Sequence, residues 1–219
     1  MSDPRLPAII FDCDGVLVDS EYLSSRVEAE ILKDLGVTLT VDEVHDLFLG
    51  KTVDGVLDAI GKLAGTRPGA GFTYNWAFAT AYTFMKELQP VAGILAALEE
   101  FARRGHRMAV ASQSPLARVR MSLEIAGLAR FFGDNVYVTS MVARPKPAPD
   151  IYLFAAARLG AQPAQCIVIE DSPAGAASGR SAGMRAIGYA PAETLAAMQA
   201  SGAEVIRSMT ELPTLVGAG

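Results

Sequence analysis

The sequence predicts an α/β fold: a doubly wound, mostly parallel sheet of Rossmann-like architecture with an inserted helical cap. Three observations predict it. Short apolar, β-branched runs recur along the chain. Stretches of helical periodicity separate them. Between residues 17 and 88 the alternation lapses and only helical pattern remains.

The first run, AIIF (8–11), leads directly into FDCDGVLVDS (11–20), where Asp12, Asp14 and Asp19 crowd together. Further runs are RMAVAS (107–112), VYVTS (136–140) and CIVIE (166–170), with weaker ones at 185–190 and 203–208. Near-continuous apolar strands imply burial on both faces, as in a parallel sheet. Between them, Ile94, Leu95, Leu98 and Phe101 mark a helical face that should stop at Gly105. Pro115, Pro149 and Pro173 sit where helices should begin, with Ser114 as N-cap of the first, and Gly127, Gly160 and Gly183 sit near their ends. In the insertion, Leu23, Val27, Ile31 and Leu35 recur every four residues, and Thr40 with Glu43 forms a helix-start signature. Helical pattern follows at 52–64 and 72–88, separated by a turn. The expected organisation is a core of residues 1–16 and 89–219 and a cap of residues 17–88. Gly175, Gly179 and Gly183 give one helix a small-residue face suited to lying close on the sheet.

Composition excludes several classes. Of the 219 residues, 51% are hydrophobic and 20% charged, ordinary for a globular enzyme with a real core. The formal charge of -5, with no Lys/Arg-rich block, speaks against nucleic acid. No apolar run is long enough to span a bilayer, so no membrane is expected. Cys13 and Cys166 lie in apolar runs and read as buried thiols in a reducing compartment. With no signal-peptide pattern at the N-terminus, the expectation is a cytoplasmic protein, acting as a monomer.

In open α/β sheets, ligands bind beyond the carboxyl ends of the strands. Asp12 and Asp14 follow the first strand there, Ser112 ends the second, Lys146 follows the third, and Glu170 and Asp171 end the fourth. Each has an ordinary reading alone: a D-x-D loop, a helix cap at Asp171 or Ser172, a solvated lysine, a capping serine. Their coincidence at successive strand ends points to one site. Uncompensated carboxylates there would raise one another's pKa, and a divalent cation relieves this. Oxygen-only ligands favour Mg²⁺, which also binds substrate phosphate. A serine, a lysine and a helix N-terminus complete a phosphate pocket, and aspartate is a competent phosphoryl acceptor. Cys13 is read as packing. His106 lies at the wrong end of its strand and His45 shows no evident Ser or Cys partner, so a Ser-His-Asp triad is not expected.

DCDGVLVDS, VASQS, RPKPAPDIY and IEDSPAGAASGRSAGM, in this order, resemble the four motifs of the haloacid dehalogenase superfamily. The match is to its sugar-phosphatase and β-phosphoglucomutase branch, whose helical cap is inserted after the first motif. The resemblance implies that Asp12 is the nucleophile and Asp14 the general acid/base. It implies that Ser112, with Gln113 beside it, binds phosphate, and that Lys146 neutralises nucleophile and phosphate. Mg²⁺ would be held by Asp12, Asp171 and the Asp14 backbone carbonyl, with Glu170 binding it directly or through water. In LFLGKT (47–52), which resembles the specificity loop of this branch, Lys51 either meets an anionic substrate or is simply solvated.

The expected activity is thus Mg²⁺-dependent hydrolysis of a small phosphorylated sugar or sugar acid through an aspartyl-phosphate. Inside the superfamily there are three alternatives. A dehalogenase has no need of Asp14, and a phosphonatase would need a cap lysine such as Lys51 or Lys62. A β-phosphoglucomutase carries a cap His and Arg that SEYLSSR and GKTVDG lack, although Arg26 is nearby. Outside it, a receiver-type phospho-accepting switch uses similar residues, but is much shorter and would avoid a second acid beside the nucleophile.

Overall fold

A computed structural model of the chain describes residues 6–190 and 194–217. The start of the N-terminal stretch, expected to lack a signal peptide, lies outside the described residues. Strand β1 (Ala8–Phe11) is followed by four helices, α1 (Glu21–Asp34), α2 (Val41–Phe48), α3 (Val53–Ala64) and α4 (Ala70–Glu87). Then come α5 (Ile94–Arg104), β2 (Met108–Ser112), α6 (Leu116–Ile125), β3 (Val136–Val138) and α7 (Asp150–Arg158). The chain continues through β4 (Cys166–Glu170), α8 (Pro173–Ser181), β5 (Arg185–Tyr189), α9 (Leu195–Ala200), β6 (Glu204–Ile206) and α10 (Leu212–Gly217).

The six strands form one sheet in the order β3-β2-β1-β4-β5-β6, and every pairing is parallel. The order runs outward in both directions from β1 and β4, which makes that pair the topological switch point. Phe11 pairs with Ile169, so the residues after them, Asp12 and Glu170, emerge side by side. The Asp12 N–H donates to the Ile169 carbonyl at 2.9 Å, continuing the ladder. Strands β1, β2 and β4 are buried at every position, because helices cover both faces. On one side Ile10, Ala109, Ala111 and Val168 meet Ile151, Tyr152, Ala155 and Ala156 of α7.

Some expected features of the local structure are corrected. Leu95 is 39% exposed, and the buried face of α5 is Ile94, Ala97, Leu98 and Phe101. The third run ends as a strand at Val138, because residues Thr139–Met141 turn into a 3₁₀ helix. The glycine face of α8 has a specific cause. A Cβ on Gly179 would lie 3.0 Å from Val168 of β4, and one on Gly175 would lie 1.9 Å from the Glu170 carboxylate.

The chain divides into two units, one of residues up to Val18 together with those from Pro90 on, the other Asp19–Gln89. The second unit holds α1 to α4 around Val27, Leu32, Val44, Phe48, Val56, Leu57, Ile60 and Trp76. Its α2 opens on the expected capping box: Thr40 accepts from Glu43 N–H while the Glu43 carboxylate accepts from Thr40 N–H. Leu35 does not extend the buried face of α1; it lies past the helix end and is 39% exposed. No helix among the described residues is long and apolar enough to cross a membrane.

Phe101 is fully buried, packing against the Phe11 ring and edge-on to His106. Phe101→Ala should therefore destabilise the protein by about 3–5 kcal/mol, measured by urea unfolding. A loss under about 1 kcal/mol would show that this side of the sheet is not tightly packed.

Candidate active site

The switch point places three carboxylates together. One oxygen from each of Asp12, Glu170 and Asp171 lies within 4.8 Å of the others. Such a group needs a counter-charge, and the chain supplies one. Lys146, from the loop between β3 and α7, is buried to 3% side-chain exposure. Its Nζ donates to Asp12 Oδ1 at 2.8 Å, Glu170 Oε1 at 2.6 Å and the Ala111 carbonyl at 2.9 Å. The third contact ties the ammonium to the end of β2.

Glu170 is fully buried, and both its oxygens are engaged. Oε1 accepts from Lys146 and from the Tyr152 hydroxyl, the latter at 2.6 Å. Oε2 accepts from Ser172 N–H at 3.2 Å and Ser172 Oγ at 2.9 Å. The same Ser172 hydroxyl accepts from Gly175 N–H and so caps α8.

The electrostatics follow from burial and pairing. Burial pushes the Asp12 carboxyl up to about 7; Lys146 pulls against it, and the Glu170 and Asp14 carboxylates add to the rise. Burial works to raise Glu170 as well, but Lys146, Tyr152 and Ser172 outweigh it and hold its pKa below the usual range. Burial disfavours the charge on Lys146, yet the Asp12 and Glu170 carboxylates keep its pKa well above normal. The ammonium is thus fixed, and of the two acids it touches Asp12 is the one whose charge is less compensated.

Asp14 points its carboxylate elsewhere. Oδ2 accepts from Ser114 Oγ at 2.7 Å and Oδ1 from Arg118 at 3.1 Å. It is not one of the three clustered acids. Ser114, expected to cap α6, instead spends its hydroxyl on Asp14, and Pro115 occupies the N-cap position. Ser112, 1% exposed at the end of β2, accepts from Ser114 N–H at 3.0 Å. The Gln113 carbonyl beside it lies 3.5 Å from Thr139 Oγ1. Cys13 is buried, and burial, followed by the flanking Asp14 and Asp12 charges, raises its thiol pKa well above normal; it is packing, with no nucleophilic character.

Lys51 belongs to the helical unit, is exposed, and donates to the Leu47 carbonyl at 2.5 Å. In that unit His45 is not without a serine. Its Nδ1 lies 3.5 Å from Ser25 Oγ and its Nε2 lies 3.8 Å from Glu21. Both distances exceed those of a working nucleophile–base pair, and Ser25 is buried. The sequence reading missed Ser114, Arg118 and Tyr152 as site residues. Ser114 and Tyr152 sit inside quoted motifs, so motif membership was a usable signal. Nothing local marks Arg118, which pairs across 104 positions.

The donor set suits a hard cation. It is oxygen-only, and the backbone leaves it room: Gly15, at φ +72°, has no side chain, and a Cβ there would fall 2.1 Å from Asp171 Oδ2. The residues therefore fit a divalent ion held by carboxylates.

Removing Lys146 should expose how the acids depend on it. Lys146→Met leaves Glu170 buried without its cation, and breaking such a pair costs about 3–5 kcal/mol. Urea unfolding should show that loss; an unchanged midpoint would mean the acids are compensated in another way.

The family model of haloacid dehalogenase-like hydrolases matches residues 6–183. The 6-phosphogluconate phosphatase of Escherichia coli K12 is 31% identical over 181 residues, 82% of this chain and 80% of that protein. Hexitol phosphatase B of the same organism is 33% identical over 191 residues, 85% of each. The chain also aligns, at 32% identity and over 93% of its length, with 20% of the much longer Protein SUPPRESSOR OF QUENCHING 1, chloroplastic, of Arabidopsis thaliana. Among solved structures, a HAD family hydrolase from Deinococcus radiodurans R1, with bound phosphate and sodium, has a TM-score of 0.79 at 33% identity, covering 99% of this chain and 98% of that one. With its parallel sheet, its clustered acids and a family match running from before β1 to the end of α8, the chain belongs to the haloacid dehalogenase-like hydrolases.

Proposed function

We propose that the chain is a Mg²⁺-dependent phosphatase that hydrolyses a small phosphorylated sugar, sugar acid or sugar alcohol through an aspartyl-phosphate on Asp12. The observation that carries this is the buried Lys146 ammonium, 2.8 Å from Asp12 Oδ1 among three clustered acids. With a divalent ion on the acids, such a site would attract a dianionic group while keeping one carboxylate poised to attack it. Two of the relatives are named as phosphatases of 6-phosphogluconate and of hexitol, and the Deinococcus structure holds phosphate. These support the substrate class.

Asp12 and Asp171 would hold Mg²⁺ through their side chains, with Glu170 adjacent and the Asp14 carbonyl implied by the family motif. When bound, the ion supplies positive charge against the transferring phosphoryl oxygens. The chain's own residues do the rest. An Asp12 oxygen attacks phosphorus as the bond to the sugar oxygen breaks. Asp14, protonated, gives its proton to that leaving oxygen. Asp14, now a carboxylate, takes a proton from water as the water oxygen attacks phosphorus. The Asp12–phosphorus bond breaks, releasing inorganic phosphate and regenerating the carboxylate. Ser112 binds the phosphoryl group, and Lys146 balances its charge.

Water, not a second sugar hydroxyl, is the acceptor in this reading. A mutase must grip a distal phosphate, a task suited to a bidentate arginine. The helical unit has two arginines, and both are spent within it: Arg26 on Glu87 at 2.6 Å, and Arg67 on Asp54 and Asp58 at 2.7 and 2.8 Å. Lys51 is assigned to substrate hydroxyls or carboxylates. The two buried cysteines suit a reducing compartment such as the cytoplasm.

Phosphate release from a panel of sugar, sugar-acid and polyol phosphates tests the proposal. Activity should vanish in EDTA and return with Mg²⁺; full activity in chelator sinks it. Asp12→Asn should abolish turnover, since the amide cannot carry the phosphoryl group. Asp14→Asn should slow it by roughly 10²–10⁴, the range for lost general acid–base catalysis. Near-normal turnover in Asp12→Asn would place the nucleophile elsewhere.

A further inference from the structure

Tyr152 is the least expected member of the buried network. It sits on α7, fully buried in the core cluster against β1, β2 and β4. A phenylalanine would fill that space equally well, and burying a hydroxyl is unfavourable without a good partner. The partner is specific. The Tyr152 hydroxyl donates to Glu170 Oε1 at 2.6 Å, the same oxygen that receives Lys146 at 2.6 Å. The ring also lies under the ammonium, with Nζ 4.9 Å from its centroid, close enough for a cation–π attraction.

With Ser172 on the other oxygen, Glu170 accepts from four donors: Lys146 Nζ, Tyr152 Oη, and Ser172 N and Oγ. Four is the full accepting capacity of a carboxylate. A carboxylate so occupied is not free to turn toward a cation, although its oxygen lies within 4.8 Å of those of Asp12 and Asp171. The acids therefore divide their work. Asp12 and Asp171 would face the cation, and Glu170 anchors the lysine.

We propose that Tyr152 is a positioning residue that enforces this division. Its hydroxyl pins Glu170 to Lys146, which keeps Glu170 out of the metal's coordination sphere and holds Nζ on Asp12. The proposal rests on the phosphatase reading and adds a residue to it. Removing the hydroxyl frees one lone pair of Glu170. The carboxylate can then rotate toward the cation, adding a charged ligand, while Lys146 loses its fixed seat.

The test is Tyr152→Phe in the full chain. Steady-state phosphate release should show kcat falling about tenfold with KM little changed, the size expected for losing one hydrogen bond to a charged group. Calorimetric titration of the metal-free protein with Mg²⁺ alone should show binding tightened about threefold or more, because ligand charge raises affinity for a hard cation. The Tm should stay within a few degrees of the wild type. A purely structural tyrosine would lower Tm and leave Mg²⁺ affinity unchanged. The proposal stands only if kcat falls and Mg²⁺ binding tightens together with Tm inside that range; either change without the other overturns it. If the wild type releases phosphate from no substrate, the phosphatase reading has failed on its own account. The calorimetry then decides alone, with unchanged or weakened Mg²⁺ binding overturning the role of Tyr152.

Discussion

The structure depends on one buried ammonium. The switch point between β1 and β4 brings Asp12 beside Glu170, with Asp171 next in line. Three carboxylates in a largely desolvated place would repel one another and protonate. Lys146 prevents this by sitting 2.8 Å from one and 2.6 Å from another. Its third bond, to the Ala111 carbonyl, fixes where along the sheet the charge resides. Two glycines serve the same end by absence: any side chain on Gly15 or Gly175 would strike Asp171 or Glu170.

That arrangement explains why the acids are unequal. Glu170 is buried, saturated and held ionised, while Asp12 is pushed up to about 7 with the Lys146 ammonium pulling against the rise. Asp14 is held apart by Ser114 and Arg118. In the proposed reading Asp12 is the nucleophile, Glu170 the anchor and Asp14 a separately held acid, an arrangement suited to a charged, oxygen-rich substrate and a hard cation.

Much of this was legible in the sequence, for physical reasons that differ by element. AIIF and CIVIE match β1 and β4 residue for residue, because strands buried on both faces read as near-continuous apolar runs. The Thr40–Glu43 cap was legible because it is local, three residues apart. The acids, Ser112 and Lys146 were legible because parallel topology sends strand ends to one edge whatever the loops do. What escaped was decided by long-range packing. Leu35 and Leu95 fit their helical periods yet face solvent, since period alone does not say where a buried face stops. Ser114 had two uses for its hydroxyl, a cap or Asp14, and only the fold 100 positions away decides between them. Tyr152 reads as core, which it is; its hydroxyl bond to Glu170 exists only after α7 docks on the sheet.

The central claim is that this edge of the sheet carries a phosphoryl group on Asp12. The most direct measurement is to quench the wild-type protein in acid during turnover with Mg²⁺, reduce it with borohydride, and sequence its peptides by mass spectrometry. An acyl phosphate on an aspartate is reduced to homoserine, whereas an ordinary carboxylate is untouched. The account predicts conversion at Asp12 and at no other acid. Turnover with no conversion at Asp12, or conversion at Asp14, Glu170 or Asp171 instead, would contradict it.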